Sequence, residues 1–149
     1  MAGRFLEEFE VGEEFVTPAR TITESDIVMF AGLSGDYSPH HVDNEFIKTL
    51  PFKGKIAHGL LGVSVCSGLI VSLDLWRETA VALVEVDVRF KGAIYVGDTI
   101  RVTLKVVDKK EVSKGGRGIV TFILITKNQK DEIVTEIRWV MMIKKKEKS

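Results

Sequence analysis

The chain has one cysteine, three prolines and no excess of either charge in its 149 residues. The lone Cys66 excludes an intrachain disulfide and suits a reducing cytoplasm. Lysine plus arginine, 21, balances aspartate plus glutamate, 21, so no global field draws the chain to nucleic acid or to an anionic membrane. No stretch reaches the ~18 uninterrupted apolar residues of a membrane span. The opening, MAGRFLEEFEVGEEF, places glutamates ahead of any apolar run, which argues against a secretory signal. Repeats, low-complexity tracts and interior linkers are missing too. The expectation is one soluble cytoplasmic domain over residues 1–149, with a disordered basic tail from about residue 144, in IKKKEKS.

What is present is an ordinary globular composition, 45% apolar and 28% charged. Residues 13–22 have strand-like content, and Pro18 marks an edge or bend. Thr23 reads as an N-cap with Asp26 three places on, a short-armed capping box. Ile27, Phe30 and Ala31 then share a helical face, and Gly32 and Gly35 end the run. Asp43 is placed to cap a second short helix, NEFIKTL, which Pro51 stops. From Gly59 to about Leu73 a third helix is apolar on every side and is expected to be buried. Its Gly59, Gly62, Ser64, Ser67 and Gly68 are small enough to admit close backbone.

After that helix the apolar period changes to two. Val84, Val86, Val88 and Phe90 alternate with Glu85, Asp87 and Arg89, and residues 100–106, 118–127 and 132–143 continue as strands. VGD, SKGGRG and NQKD supply short turns, so the strands pair antiparallel. A sheet with one buried face needs a cover, and only the apolar helix is long enough. The expected fold is α+β: a curved antiparallel sheet wrapped around one central apolar helix, a hot-dog arrangement.

The chemistry concentrates in SGDYSPHH, residues 34–41. Asp36 follows a helix end in a glycine-marked loop, and Pro39 holds Ser38 extended and stiffens the segment. A carboxylate and an imidazole are suited to moving protons near neutral pH. In an extended segment His40 and His41 would face opposite ways, so one of them, His41, joins Asp36. His58-Gly59 opens the buried helix, where N–H groups lack intrahelical partners and carry positive partial charge. A donor so placed stabilises an oxyanion such as a thioester enolate, which suits proton abstraction beside a carbonyl or addition of water to a conjugated double bond. Taken alone, Asp36 reads more simply as a turn residue and His41 as a hydrogen-bonded histidine. Asp36, His40, His41, Asp43 and His58 match no standard metal-ligand spacing, so no metal is expected. Ser64 and Ser67 lack a GxSxG elbow, and Cys66 has no charged neighbour to activate it.

The runs FAGLSGDYSPHHVD and KIAHGLLGVSVCSGL closely resemble the MaoC-like dehydratases, which include the (R)-specific enoyl-CoA hydratases. Phe30, Gly35, Asp36, Pro39 and His41 match that family's hydratase motif, and VEVDVRFKGAIYVGDTI looks like its strand, bend and GD turn. The resemblance implies a hot-dog fold, a homodimer or higher homo-oligomer, and reversible hydration of trans-2-enoyl thioesters to (R)-3-hydroxyacyl thioesters. It implies that Asp36 and His41 activate water and protonate the α carbon. Gly59 would give its N–H to the thioester carbonyl and Ser67 would hold the active-site network, with Ser38 and His58 completing the substrate-binding set. No metal or redox cofactor is implied, and coenzyme A or an acyl carrier enters only as part of the substrate. Two positions depart from the motif: Ser38 stands for the usual asparagine and His40 for an aliphatic residue.

Two other functions compete. Several hot-dog thioesterases place a carboxylate on the central helix, yet residues 59–73 hold none and Asp74 lies at the far end, which leaves only a loop carboxylate for that reading. A non-catalytic acyl-CoA-binding module would have no need of the Asp36–His41 pair.

Overall fold

The computed structural model describes residues 3–112 and 115–147. A one-turn 3₁₀ helix at Leu6–Glu8 leads into two short strands, β1 (Glu14–Val16) and β2 (Arg20–Thr21). Four helices follow: α1 (Glu24–Ser34), α2 (Pro39–Val42), α3 (Asn44–Ile47) and α4 (Gly59–Val71). The long strands β3 (Ala80–Phe90), β4 (Thr99–Glu111), β5 (Arg117–Lys127) and β6 (Ile133–Lys144) complete the chain. All pairings are antiparallel in the order β1-β4-β5-β6-β3, with β2 beside β4.

The local signals explain these elements. Thr23 accepts from the Asp26 amide and Asp26 from the Thr23 amide, so the capping box starts α1. Gly35, at φ 77°, ends it in the left-handed conformation, while Gly32 lies inside the helix rather than at its end. Asp43 Oδ1 accepts from the amides of Glu45 and Phe46 at 2.8 and 2.9 Å and caps α3. Alternation places Ile100, Val102, Leu104 and Val106 of β4 and Val120, Phe122 and Leu124 of β5 in the core. Against this face α4 packs Leu61, Val65, Cys66, Leu69 and Ile70.

Three expectations need correction. The central helix is not buried all round: Leu60 is 64% and Val71 58% exposed, on a stripe shared with Ser64. One sheet covers one side of the helix, and this stripe lies on the other. Residues 39–42 form a helical turn rather than an extended segment, because Pro39 at the first helical position is already pre-set for it. Residues 144–146 of the expected tail are placed: Lys144 closes β6, Lys145 pairs with Glu111 and Lys146 with Glu8. Ser113 and Lys114 of the expected SKGGRG turn lie outside the described residues, as do the last two of the tail. Among the described residues no helix is long and apolar enough to cross a membrane.

The edge strand β3 is the odd member. Val81, Leu83, Val84 and Val86 are all exposed, and its outer edge pairs with nothing among the described residues. Elsewhere the core is tight. Phe122 is fully buried, edge-on to Phe9 with centroids 5.8 Å apart and tilted against Trp76 at 5.4 Å. Phe122→Ala is expected to cost about 3–5 kcal/mol in urea unfolding. A loss under about 1 kcal/mol would contradict this packing.

Candidate active site

Asp36 leaves the left-handed Gly35 and turns back on itself. Its Oδ1 accepts from the Ser38 hydroxyl at 2.5 Å and from the Ser38 amide at 3.1 Å, an Asx turn that leaves Oδ2 free. Oδ2 faces His41 Nε2 at 4.0 Å. The other ring nitrogen of His41, Nδ1, lies 2.7 Å from the Ile56 carbonyl. A carbonyl only accepts, so Nδ1 carries the proton and Nε2 presents a lone pair to Asp36.

His58 ties the two segments together. It precedes α4, is 3% exposed, and its Nε2 donates to the Asp36 carbonyl at 2.9 Å. Its ring stacks on His41 with centroids 3.8 Å apart and also meets Phe30 at 5.0 Å. His58 Nδ1 is buried without a hydrogen-bond partner among the described residues. Thus α1, α2 and the start of α4, far apart in sequence, meet at one point.

The electrostatics follow from these contacts. The Ser38 hydroxyl and amide hold the Asp36 carboxyl below its ordinary value, with His41 and His58 adding to the effect. Burial pushes the His41 imidazole down, opposed by its bond to the Ile56 carbonyl. At neutral pH the pair is therefore an ionised carboxylate facing a neutral imidazole.

Asp36, His41 and His58 offer ligand atoms within 4.8 Å of one another. The geometry suits proton transfer better than a cation, since the two imidazoles lie face to face, 26° from parallel. Stacked rings aim their in-plane lone pairs side by side rather than at a shared centre. The other candidate ligands are elsewhere: His40 packs edge-on to Phe46 and Asp43 caps α3.

Gly59 begins α4, whose first intrahelical bond runs from the Gly62 amide to the His58 carbonyl. No side chain caps this end. A Cβ on Gly59 would lie 2.6 Å from a ring carbon of Phe90, so any side chain here would displace that half-exposed ring. Ser67 sits two turns further along α4, half-buried, and makes no hydrogen bond to Asp36 or His41 among the described residues. Beside the open helix end lies a cavity of about 470 Å³, walled by Phe52, Ala57, His58, Gly59, Phe90 and Ile94. A larger hollow of about 760 Å³ adjoins Val81, at the opposite end of β3 from Phe90, and is walled by the paired Glu111 and Lys145. Sequence reasoning missed Phe90 as a wall of this site, because alternation alone marks it as one more strand residue.

An antiparallel sheet wrapped about a helix defines a hot-dog protein, here with an Asp–His pair at the helix's open end. A family model described as MaoC like domain matches residues 7–128, and the chain belongs to that family. A protein named (R)-specific enoyl-CoA hydratase from Rhodospirillum rubrum is 36% identical over 102 residues, 68% of this chain and 69% of that one. Two further curated relatives are longer, and the chain spans 41% and 30% of them. A solved structure described as a monoamine oxidase regulatory protein from Archaeoglobus fulgius superposes with a TM-score of 0.91 at 34% identity, covering 97% of each chain. For the fold alone, a Mycobacterium tuberculosis protein with a double hot-dog fold superposes at 0.86, 19% identical, over 99% of this chain and 46% of that one.

Two outcomes are expected from NMR titration. His41 should titrate below 6.5 and carry its proton on Nδ1 at pH 7. Since the unfolded imidazole takes its proton near the ordinary value and the folded one only lower, folding stability should fall as pH drops through that interval. A His41 midpoint at or above 6.5 would contradict the burial argument.

Proposed function

We propose that this chain adds water reversibly to trans-2-enoyl thioesters of coenzyme A, giving (R)-3-hydroxyacyl thioesters. The observation that carries the reading is the 4.0 Å gap between His41 Nε2 and Asp36 Oδ2 at the open end of α4. That gap is too long for a direct hydrogen bond and the right span for one bridging water. The water oxygen bonds C3 while one of its protons passes to the pair. The electrons of the double bond move toward C2 and the thioester oxygen, where the Gly59 N–H and the positive end of α4 stabilise the enolate. The pair then returns the proton to C2, so water alone is consumed and the site is restored. The family membership and the named hydratase relative support the same reaction class.

The departure at Ser38 fits this mechanism, because its hydroxyl still anchors Asp36 Oδ1 and leaves Oδ2 for the water. No metal or redox cofactor enters the scheme. The buried Cys66 suits a reducing cytoplasm. A second copy would complete the molecule: the free edge of β3 and the stripe of Leu60, Ser64, Ser67 and Val71 on α4 are apolar or small. A homodimer formed there would cover both and give Ser67 an interface position.

Loss of the conjugated thioester absorbance of crotonyl-CoA, with no free thiol, is the expected activity. Asp36→Asn and His41→Gln should each lower kcat/KM about 10²–10⁴-fold. Thiol release would make the chain a thioesterase, and absence of turnover on short, long and branched enoyl chains would overturn the hydratase reading. For assembly, light scattering should give twice the chain mass for wild type and the single mass for Val84→Lys. A wild-type monomer that still turns over would remove the dimer from the account.

A further inference from the structure

The cavity of about 470 Å³ at the open end of α4 is walled by His58 and Gly59 but by neither Asp36 nor His41. Its sides are apolar, from Phe52, Ile56, Phe90 and Ile94, and Lys91 joins them with no carboxylate in the wall. Phe90 stands at the helix end. Three of its ring carbons lie within 3.2 Å of where a Cβ on Gly59 would be, so the ring edge rests on that glycine. The residue is nevertheless 55% exposed. An aromatic ring set against a helix end, with half its surface uncovered beside a hollow, offers a face to an apolar segment of ligand.

The connectivity of an enoyl thioester decides which segment. Its carbonyl carbon is trigonal: one bond leads to oxygen, one to C2 and C3, and one to sulfur and the carrier. With the oxygen on the Gly59 amide and C3 at the water between Asp36 Oδ2 and His41 Nε2, only the sulfur direction is left. The sulfur branch must leave on a side that the pair does not occupy. The cavity is such a side, since it touches Gly59 and His58 and excludes the pair. The acyl chain beyond C3 continues on the other side, past Asp36 and His41.

Resting on the hydratase reading above, we infer that this cavity holds the pantetheine arm of coenzyme A and not the acyl chain, with Phe90 positioning the arm next to the sulfur. The methylenes beside sulfur pack on the ring. The rest of the arm runs out past Lys91, whose charge suits a carrier that ends in phosphates. Because the arm is unchanged through the reaction, Phe90 contributes equally to bound substrate and transition state, and so sets KM rather than kcat.

The test varies carrier and acyl chain separately. Calorimetry with coenzyme A itself, which has the arm and no acyl group, should give binding about ten-fold weaker for Phe90→Ala than for wild type. Phe90→Leu, which keeps apolar bulk, should stay within about three-fold. In hydration assays Phe90→Ala should raise KM about ten-fold for crotonyl-CoA and hexenoyl-CoA alike, with kcat within about two-fold. The S-methyl thioester of crotonic acid, which lacks the arm, should be hydrated equally by wild type and variant. Unchanged coenzyme A binding in Phe90→Ala would overturn the inference. So would a loss that differs between the acyl lengths or persists on the S-methyl thioester, or a changed mass of Phe90→Ala in light scattering, which would make Phe90 an interface residue. Wild type that binds coenzyme A without hydrating any enoyl thioester would end the hydratase reading, while weaker coenzyme A binding by Phe90→Ala would still support the arm's place in the cavity. Wild type that binds no coenzyme A would overturn both.

Discussion

The structure depends on burying α4 along the sheet while leaving its N-terminus uncapped. Leu61, Val65, Leu69 and Ile70 commit one side of the helix to the core. Burying four such side chains stabilises the fold by about 1.5–3 kcal/mol each, enough to hold the helix axis in place. What remains free is its first turn, where peptide dipoles sum and, among the described residues, no side chain caps the amides. The Asp36–His41 pair is then brought to that end by His58, the residue just before the helix. Its bond to the Asp36 carbonyl and its stack on His41 transmit the rigidity of α4 to a loop that otherwise has little core of its own.

The division of charge follows from the same arrangement. Asp36 sits outside, 48% exposed at the side chain, and takes two hydrogen bonds from Ser38, which favour the carboxylate. His41 sits inside, 11% exposed, where burial favours the neutral ring. Two groups adjacent in space thus hold complementary protonation states because one faces water and the other faces protein. In the proposed reaction, a water between them would meet both groups already in the protonation states the step needs.

Much of this was legible in the sequence, and the exceptions have physical causes. The strands, the capping box at Thr23 and the cap at Asp43 are local patterns, and they formed as their residue types require. The pairing of Asp36 with His41 rests on five residues of chain and a proline, so it was accessible too. The bond from His58 to Asp36 spans 22 residues and depends on how α4 docks, which no local pattern encodes. The short α2 was hidden because Pro39 is compatible with both an extended segment and a first helical turn. An all-apolar helix does not reveal which side its own sheet covers, so the exposed stripe of Leu60 and Val71 could be seen only in three dimensions.

The central claim is that the pair at the mouth of α4 moves a proton between one water molecule and C2 of an enoyl thioester. Hydration of crotonyl-CoA in D₂O, followed by mass and chiral analysis of the product, tests it most directly. The account predicts (R)-3-hydroxybutyryl-CoA with one deuterium at C2 and the thioester intact. Free coenzyme A with the double bond retained, or a product of (S) configuration, would contradict it.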